Sequence, residues 1–235
     1  MPELSREEQW VATGGAARQS RSGSVASAVL ASAKRGFDLF GSLLGVALIS
    51  PLLATIALLI RIDSPGPVLF RQTRVGRGGT QFEMFKFRTM RSDCDSEQHR
   101  EYVTRMIREG GDELRNGQGT YKLENDPRIT RVGRVLRRLS FDELPQLFNV
   151  ARGEMSLVGP RPPLPYEVEL YTDRHMRRLE AMPGMTGLWQ VSGRNQTTFE
   201  QMVDLDLSYI EHWSPLLDLK IIGRTVIVLL TERGA

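Results

Sequence analysis

Residues 39–60 read LFGSLLGVALISPLLATIALLI, and this stretch contains no charged residue. A helix rises ~1.5 Å per residue, so a run of this length can cross the ~30 Å hydrocarbon layer of a membrane. A buried helix of a soluble protein rarely stays uncharged over such a length. The stretch therefore predicts a helix that inserts into a membrane.

The middle and the flanks of this stretch predict an unusual path. A proline inside a helix removes one backbone hydrogen bond, so a kink is expected at Ser50 and Pro51, with the serine as a partner for the freed group. Positive charge favours the cytoplasmic side, yet Lys34 and Arg35 precede the stretch and Arg61 follows it. A re-entrant helix, broken in the middle and leaving by the face it entered, accounts for both flanks. A kinked helix that still crosses is the alternative.

Working outward, the chain divides into three parts. Residues 1–33 are rich in Gly, Ala and Ser and predict a flexible tail, residues 34–62 are the predicted membrane segment, and residues 63–235 predict a globular domain. The fold class expected is α/β: a small mixed domain with an N-terminal re-entrant (helix-break-helix) segment and interfacial helices. The predicted strands are residues 68–70, 81–87 and 186–191, and the predicted helices are residues 163–181, 199–213 and 216–230.

Composition excludes several classes. Lys and Arg total 31 against 28 for Asp and Glu, a net charge of +3 that is small for a nucleic-acid-binding protein. The single cysteine, Cys94, excludes an intramolecular disulfide. The three histidines lack metal-ligand spacing. No glycine-rich phosphate loop or nucleophile elbow occurs either.

The central block, residues 125–146, is rich in closely spaced charged residues. Five arginines lie between Arg128 and Arg138, and the acidic pair Asp142 and Glu143 follows. The arginine fork matches phosphate oxygens, so the block indicates a phosphate-rich substrate or an anionic lipid surface. A solvated basic helix is the alternative.

The acidic pair has a structural interpretation of its own. Ser140 and Glu143 have the spacing of a capping box, and placing Asp142 at the cap instead would put Pro145 in the first turn, where proline is tolerated. Either register puts the pair at a helix start, beside N–H groups that suit a phosphate. On these grounds alone, capping is favoured over catalysis.

A second unusual segment is residues 159–163, Gly-Pro-Arg-Pro-Pro. Pro160 and Pro162 fix the backbone on each side of Arg161 and so give its guanidinium a defined direction. The segment indicates a phosphate clamp, or else a rigid turn that exposes an arginine by accident.

Taken in order, these blocks resemble the bacterial sugar transferases, the monotopic phosphoglycosyl transferases that act on undecaprenyl phosphate. The resemblance runs from residue 34 to the C-terminus. Its blocks are KRGFD (34–38), SP (50–51), GPVLFRQ (66–72), FKFRTM (85–90), DPR (126–128), DELPQ (142–146), MSLVGPRP (155–162) and GLWQVSGRN (187–195).

The resemblance implies an enzyme at the cytoplasmic face of the bacterial inner membrane. Asp142 would attack the sugar-bearing phosphorus of a UDP-hexose and release UMP, and undecaprenyl phosphate would then take the hexose phosphate from the aspartate. Glu143 would help to bind Mg²⁺, together with Asp142, or would manage protons. The product would be the first lipid-linked intermediate of exopolysaccharide or O-antigen synthesis, and the last block suggests galactose or glucose.

Further residues follow from the same resemblance. The cations expected at substrate phosphates are Lys86, Arg88, Arg137 and Arg161, and the residues expected at the nucleotide sugar are Arg128, Gly193, Arg194 and Asn195. Membrane lipids are expected partners, nucleic acid is not, and a homo-oligomer is possible. The rival interpretation is a single-pass, non-enzymatic anchored protein whose basic face binds anionic lipid or a partner.

Overall fold

The computed structural model describes residues 24–91, 104, 107, 128–192 and 197–231. The helices are α1 (Ser24–Asp63), α2 (Arg131–Leu139), α3 (Gln146–Arg152), α4 (Pro165–Val168), α5 (Asp173–Met176), α6 (Leu188–Ser192), α7 (Phe199–Glu211) and α8 (Pro215–Thr231). The strands are β1 (Leu69–Val75), β2 (Gln81–Phe87), β3 (Ser156–Val158) and β4 (Gly184–Thr186), and short 3₁₀ turns occupy Arg77–Gly79, Phe141–Glu143 and Arg177–Glu180.

Helix α1 is continuous where the sequence predicted a break. Pro51 lies inside it, and the Ser50 hydroxyl donates to the carbonyl of Ala47 at 2.9 Å. Ala47 is four residues before Pro51, so its carbonyl is the one that the proline leaves without a helical donor. The serine therefore takes the role predicted for it, and the helical path continues. The helix begins at Ser24, inside the segment predicted as a tail; the domain boundaries stay predictions.

The part of α1 just before the apolar stretch is fixed to the globular part by its charged residues. Arg35 donates to the carbonyls of Val150 and Ala151 at 2.6 and 2.8 Å, at the end of α3. The buried carboxylate of Asp38 accepts the backbone N–H of Leu157 at 3.0 Å. These contacts give the basic and acidic residues before the apolar stretch a docking role.

The other end of α1 returns to the same globular part. Ile56 and Ile60 are buried in one cluster with Phe87 and Leu136, and the Asp63 carboxylate accepts a hydrogen bond from a backbone N–H in the first turn of α2. Both ends of the apolar stretch therefore contact one globular unit.

The remaining surface of α1 is apolar and uncovered. Residues Val29–Asp63 have the length of a membrane span, and their most apolar window has a mean hydropathy of 2.6, with only 17% of that window buried inside the protein. A core helix of a soluble protein would be mostly buried, so α1 fits a membrane anchor. The exposed side chains include Phe40, Leu43, Leu44, Leu48, Leu58, Leu59 and Ile62.

Two small sheets carry the loops of the site. Strands β1 and β2 pair antiparallel, from Leu69 opposite Phe87 to Val75 opposite Gln81, which confirms the first two predicted strands. Strands β3 and β4 pair in parallel. Their loops pack so closely that a Cβ at Gly159 would lie 2.2 Å from the carbonyl oxygen of Met182. Glycine is therefore required where the chain leaves β3.

Of the four remaining predicted elements, two are wrong and two are confirmed. The single helix expected at residues 163–181 is instead α4, α5 and a 3₁₀ turn, because Thr172 starts a new helix by capping the N–H of His175. In place of the strand expected at residues 186–191, strand β4 ends at Thr186 and helix α6 follows. Helices α7 and α8 lie where predicted. Part of α8 is buried at Ile221, while an apolar face with Leu219 and Ile227 is exposed.

Candidate active site

The acidic pair lies on the 3₁₀ turn Phe141–Glu143, between α2 and α3. Ser140 ends α2 in the left-handed conformation (φ 56°), and its side chain caps nothing. The N-cap of α3 is Pro145, which has no capping side chain. Both capping interpretations of the sequence are therefore wrong: Ser140 and Glu143 form no capping box, and Asp142 does not occupy the cap.

Glu143 is paired with Lys86 of β2. The ammonium nitrogen lies 2.7 Å from Oε1 of Glu143, and 38% of the glutamate side chain is exposed. Burial acts to raise the pKa of Glu143, but the charges of Lys86, Arg161 and Arg74 outweigh it and hold the pKa below its usual value. Glu143 is therefore an ionised carboxylate surrounded by cations.

The pKa of Asp142 is shifted in the opposite direction. Burial and the neighbouring Glu143 charge raise the pKa of Asp142 to about 6, while Lys86 and Arg137 act to lower it. Two adjacent carboxylates thus have pKa values that are moved apart, a pattern typical of acid–base and nucleophilic sites. At neutral pH Asp142 is mostly ionised and can act as a nucleophile.

Arg161 is exposed on the loop that follows β3, and buried groups hold the backbone of that loop. Arg74 donates to the carbonyl of Pro162 at 2.9 Å. Arg178, itself paired with the buried Asp206 at 2.8 Å, donates to the carbonyl of Arg161 at 3.4 Å. The rigid turn expected here is present, and the charge of Arg161 acts on Glu143.

Arg74 is a site residue that the sequence analysis missed. Its side chain is buried, and burial together with Arg161 lowers its pKa to about 10, while Glu167, Tyr166 and Glu143 act to raise it. Gln72 Oε1 accepts from its guanidinium at 2.7 Å. Alternation along β1 could have identified Arg74, because every second residue of a strand faces the same side. The sequence analysis placed only residues 68–70 in that strand.

The other predicted phosphate ligands differ in how they are placed. Arg137 is half-buried on α2, near enough to act on the pKa of Asp142. Arg88 is buried, and its guanidinium donates to the carbonyls of Ser64 and Pro65, both at 2.7 Å. Arg88 thereby closes the end of α1, and its contact with a substrate phosphate stays a prediction that this packing disfavours.

The predicted nucleotide-sugar residues remain predictions. Arg128 is half-buried just before α2, and its carbonyl accepts the N–H of Arg91 at 3.0 Å. Gly193, Arg194 and Asn195 lie outside the described residues.

The basic helix α2 divides by exposure. Arg131, Arg134 and Arg138 are exposed, whereas Arg137 is half-buried toward the acidic pair. The solvated-helix alternative therefore describes three of these arginines and the phosphate interpretation suits the fourth.

The acidic pair is also compatible with Mg²⁺. Among the described residues no cluster of three or more His, Cys, Asp or Glu side chains occurs. Mg²⁺ is commonly held by one or two carboxylates together with substrate phosphates, and a pair such as Asp142 and Glu143 fits that kind of site. The repulsion that helps to raise the pKa of Asp142 is what a bound cation would relieve.

The fold and the site define an α/β protein that has an apolar helix fitting a membrane anchor and a carboxylate pair set among cations, a combination suited to phosphate-bearing substrates. The sequence profile of the family described as "Bacterial sugar transferase" matches residues 29–232, and the chain belongs to that family.

Several bacterial proteins are similar to this chain. It is 42% identical over 203 residues to the exopolysaccharide production protein ExoY of Rhizobium meliloti, covering 86% of this chain and 88% of that protein. Against the UDP-glucose:undecaprenyl-phosphate glucose-1-phosphate transferase of Caulobacter vibrioides the identity is 44% over 210 residues, with 86% and 71% covered. Against the undecaprenyl-phosphate galactose phosphotransferase of Salmonella typhimurium it is 41% over 202 residues, and the chain spans 41% of that longer protein.

Proposed function

We propose that the protein transfers hexose 1-phosphate from a UDP-hexose to undecaprenyl phosphate, with Asp142 as a covalent nucleophile. The observation that carries this proposal is the acidic pair, in which Glu143 is held ionised by Lys86, Arg74 and Arg161 while the pKa of Asp142 is raised to about 6. The relatives whose names state this reaction support it.

In the first step, a carboxylate oxygen of Asp142 attacks the phosphorus that carries the hexose. The bond between that phosphorus and the oxygen bridging the two phosphates breaks, and UMP leaves with both bonding electrons. The hexose phosphate is left as an acyl phosphate on Asp142. The donor carries negative charge, and the cations around the pair offset it.

In the second step, a phosphate oxygen of undecaprenyl phosphate attacks the same phosphorus. The bond to Asp142 breaks, the aspartate returns as a carboxylate, and undecaprenyl diphosphate hexose is formed. Lys86 holds Glu143 ionised through both steps, and Arg161, on a loop fixed by Arg74 and Arg178, is placed to bind phosphate oxygens.

Asp142 and Glu143 would together hold Mg²⁺, which would supply charge neutralisation at the phosphates. Because side chains alternate along β2, Lys86 faces the acidic pair. This ammonium group therefore also offsets negative charge at the site.

The membrane segment is proposed to be re-entrant and the catalytic domain to lie at the cytoplasmic face of the inner membrane. Arg35 just before the apolar stretch and Ile60 at its end both contact the same globular unit, and that arrangement favours two flanks on one side of the membrane. The positive charge on both flanks agrees with it.

The donor is proposed to be UDP-galactose or UDP-glucose, and the product the first lipid-linked sugar of exopolysaccharide or O-antigen synthesis. The test incubates detergent-purified protein with Mg²⁺, undecaprenyl phosphate and each UDP-hexose in turn. One of the two is expected to give UMP and lipid-linked hexose. Asp142→Asn is expected to abolish both products, and Asp173→Asn, at an exposed position on α5, to retain them. A folded protein that gives no product with any UDP-hexose would refute the proposal.

A further inference from the structure

A concavity lies on the face of β1 and β2 that points away from the acidic pair. Its volume is about 400 Å³. Arg71 and Phe85 are cross-strand partners on this face, whereas Lys86, the next residue along β2, points to the opposite face and binds Glu143. We call this concavity the lateral pocket. It is lined by Leu69, Arg71, Phe85, Phe148, Ala151 and Arg152.

The lateral pocket brings together two cations with little compensating charge. The guanidinium carbons of Arg71 and Arg152 lie 5.8 and 4.9 Å from the centroid of the Phe85 ring. Glu83 approaches Arg71 only to 3.5 Å, and both side chains are mostly exposed, so this pair is weak. Within the described part of the chain, Arg152 has neither a carboxylate partner nor a hydrogen-bond acceptor. Two such cations beside one ring would be stabilised by an anion between them.

The walls of the lateral pocket are apolar, and they adjoin the membrane anchor. Phe148 is 41% exposed. Leu69 packs against the cluster that contains Ile56 and Ile60 of α1, and the carbonyl of Ala151 is held by Arg35 at the other end of the apolar stretch. The pocket therefore lies close to residues that contact α1, and it combines two cations with apolar side chains.

We propose that the lateral pocket binds the phosphate of an anionic membrane phospholipid. The guanidiniums of Arg71 and Arg152 donate to the phosphate oxygens, and the first carbons of an acyl chain lie against Phe148 and Leu69. Basic pockets with apolar walls beside membrane helices suit such headgroups. The inference rests on the membrane placement of α1 and does not depend on the transfer reaction.

The position of the pocket argues for a structural lipid and against the reacting acceptor. A phosphate bound at Phe85 would be separated from Asp142 by strand β2, since Lys86 and the acidic pair lie on its other face. An acceptor phosphate must reach the phosphorus on Asp142, so it must bind on that other face.

The test measures lipid binding to the full-length protein in detergent by native mass spectrometry. Phosphatidylglycerol and phosphatidylcholine with identical acyl chains are the probes. We expect the wild-type protein to prefer phosphatidylglycerol, and Arg71→Gln/Arg152→Gln to weaken that binding about ten-fold or more. Arg77→Gln/Arg134→Gln removes the same charge at two exposed positions outside the pocket, and it is expected to keep the preference. Thermal unfolding of each variant shows that it is folded.

Three results would overturn the proposal. The wild-type protein could bind both lipids equally, or the two double variants could lose phosphatidylglycerol to the same degree, which would assign the preference to diffuse surface charge. Undecaprenyl phosphate, titrated in parallel, could lose its binding in Arg71→Gln/Arg152→Gln while phosphatidylglycerol binding stays, which would make the pocket an acceptor site. Because the readout is binding, none of these results bears on whether UMP is released.

Discussion

The ammonium nitrogen of Lys86 lies 2.7 Å from Oε1 of Glu143, and this contact joins strand β2 to the turn that carries Asp142. It makes the two neighbouring carboxylates unequal. Glu143 is kept ionised, and its charge together with burial raises the pKa of Asp142 to about 6. The difference between the two residues is thus a property of their surroundings, since both are carboxylic acids.

The rate of UMP release should follow the ionisation of Asp142. A raised pKa means that the carboxylate is lost as pH falls through about 6, so the rate is expected to drop on the acid side with a midpoint near that value. Lys86→Met removes a charge that lowers this pKa and should move the midpoint up. Glu143→Gln removes a charge that raises it and should move the midpoint down. Single-turnover UMP release across the acid and neutral range measures both shifts.

Lys220→Met provides the matched control, because Lys220 is exposed on α8. Its acid midpoint should equal that of the wild-type protein. Identical midpoints in Lys86→Met and Glu143→Gln would show that a group other than Asp142 controls the acid limb.

Substitutions of Arg88 and Arg161 should affect different properties of the protein. Arg88→Gln leaves the carbonyls of Ser64 and Pro65 without their charged donor, so we expect a loss of about 3 kcal/mol in the free energy of unfolding. Arg161→Gln removes an exposed side chain and should raise the KM for the UDP-hexose with little change in stability. Thermal unfolding and steady-state kinetics separate the two. A stable Arg88→Gln protein with a raised KM would indicate that Arg88 contacts the substrate after all.

The buried pair at the base of α1 gives a test of how the membrane helix is held. Lys34 Nζ lies 2.7 Å from Oδ2 of Asp218, which also accepts from Trp213 at 3.1 Å. Lys34→Met leaves the buried carboxylate without its cation and should destabilise the protein by about 3 kcal/mol. Lys34→Met/Asp218→Leu removes both charges and should be more stable than the sum of the single variants predicts. Strict additivity in unfolding measurements would mean that the two charges are not energetically coupled.

The path of α1 can be tested by labelling from each side of the membrane. In a Cys94→Ser background, Ser5→Cys marks the N-terminal tail and Ser208→Cys marks an exposed position on α7. A re-entrant segment predicts that a membrane-impermeant thiol reagent labels both from the cytoplasmic side only. Labelling of Ser5→Cys from the periplasmic side would contradict re-entry and favour a single-pass anchor.

Features set by local rules could be predicted from the sequence. The bond from Ser50 to the carbonyl of Ala47 follows from the position of Pro51 alone. The alternation in residues 81–87 and the apolar periodicity of α7 and α8 likewise depend on neighbouring residues. The location of Asp142 and Glu143 came from the family pattern, since local physics favoured a cap.

Other features depend on contacts between distant segments. Thr172 starts α5 with His175 in the position where the familiar capping box has Glu or Gln, so the signature was not visible. Ser140 has that signature with Glu143 but ends α2 in the left-handed conformation, which prevents it from capping. Arg88 donates to the carbonyl of Ser64, and Arg74 donates to the carbonyl of Pro162; both acceptors are distant in sequence. No local pattern distinguishes such arginines from substrate ligands.

The most direct test of the central claim is to identify the residue that carries the hexose phosphate. Purified protein is incubated with Mg²⁺ and radiolabelled UDP-hexose without acceptor, then quenched, digested and analysed by mass spectrometry. The account predicts release of UMP, label on the peptide that contains Asp142, loss of that label in Asp142→Asn, and its discharge when undecaprenyl phosphate is added. Formation of lipid-linked hexose with acceptor while no label ever attaches to the protein, or attachment of the label to Glu143, would contradict it.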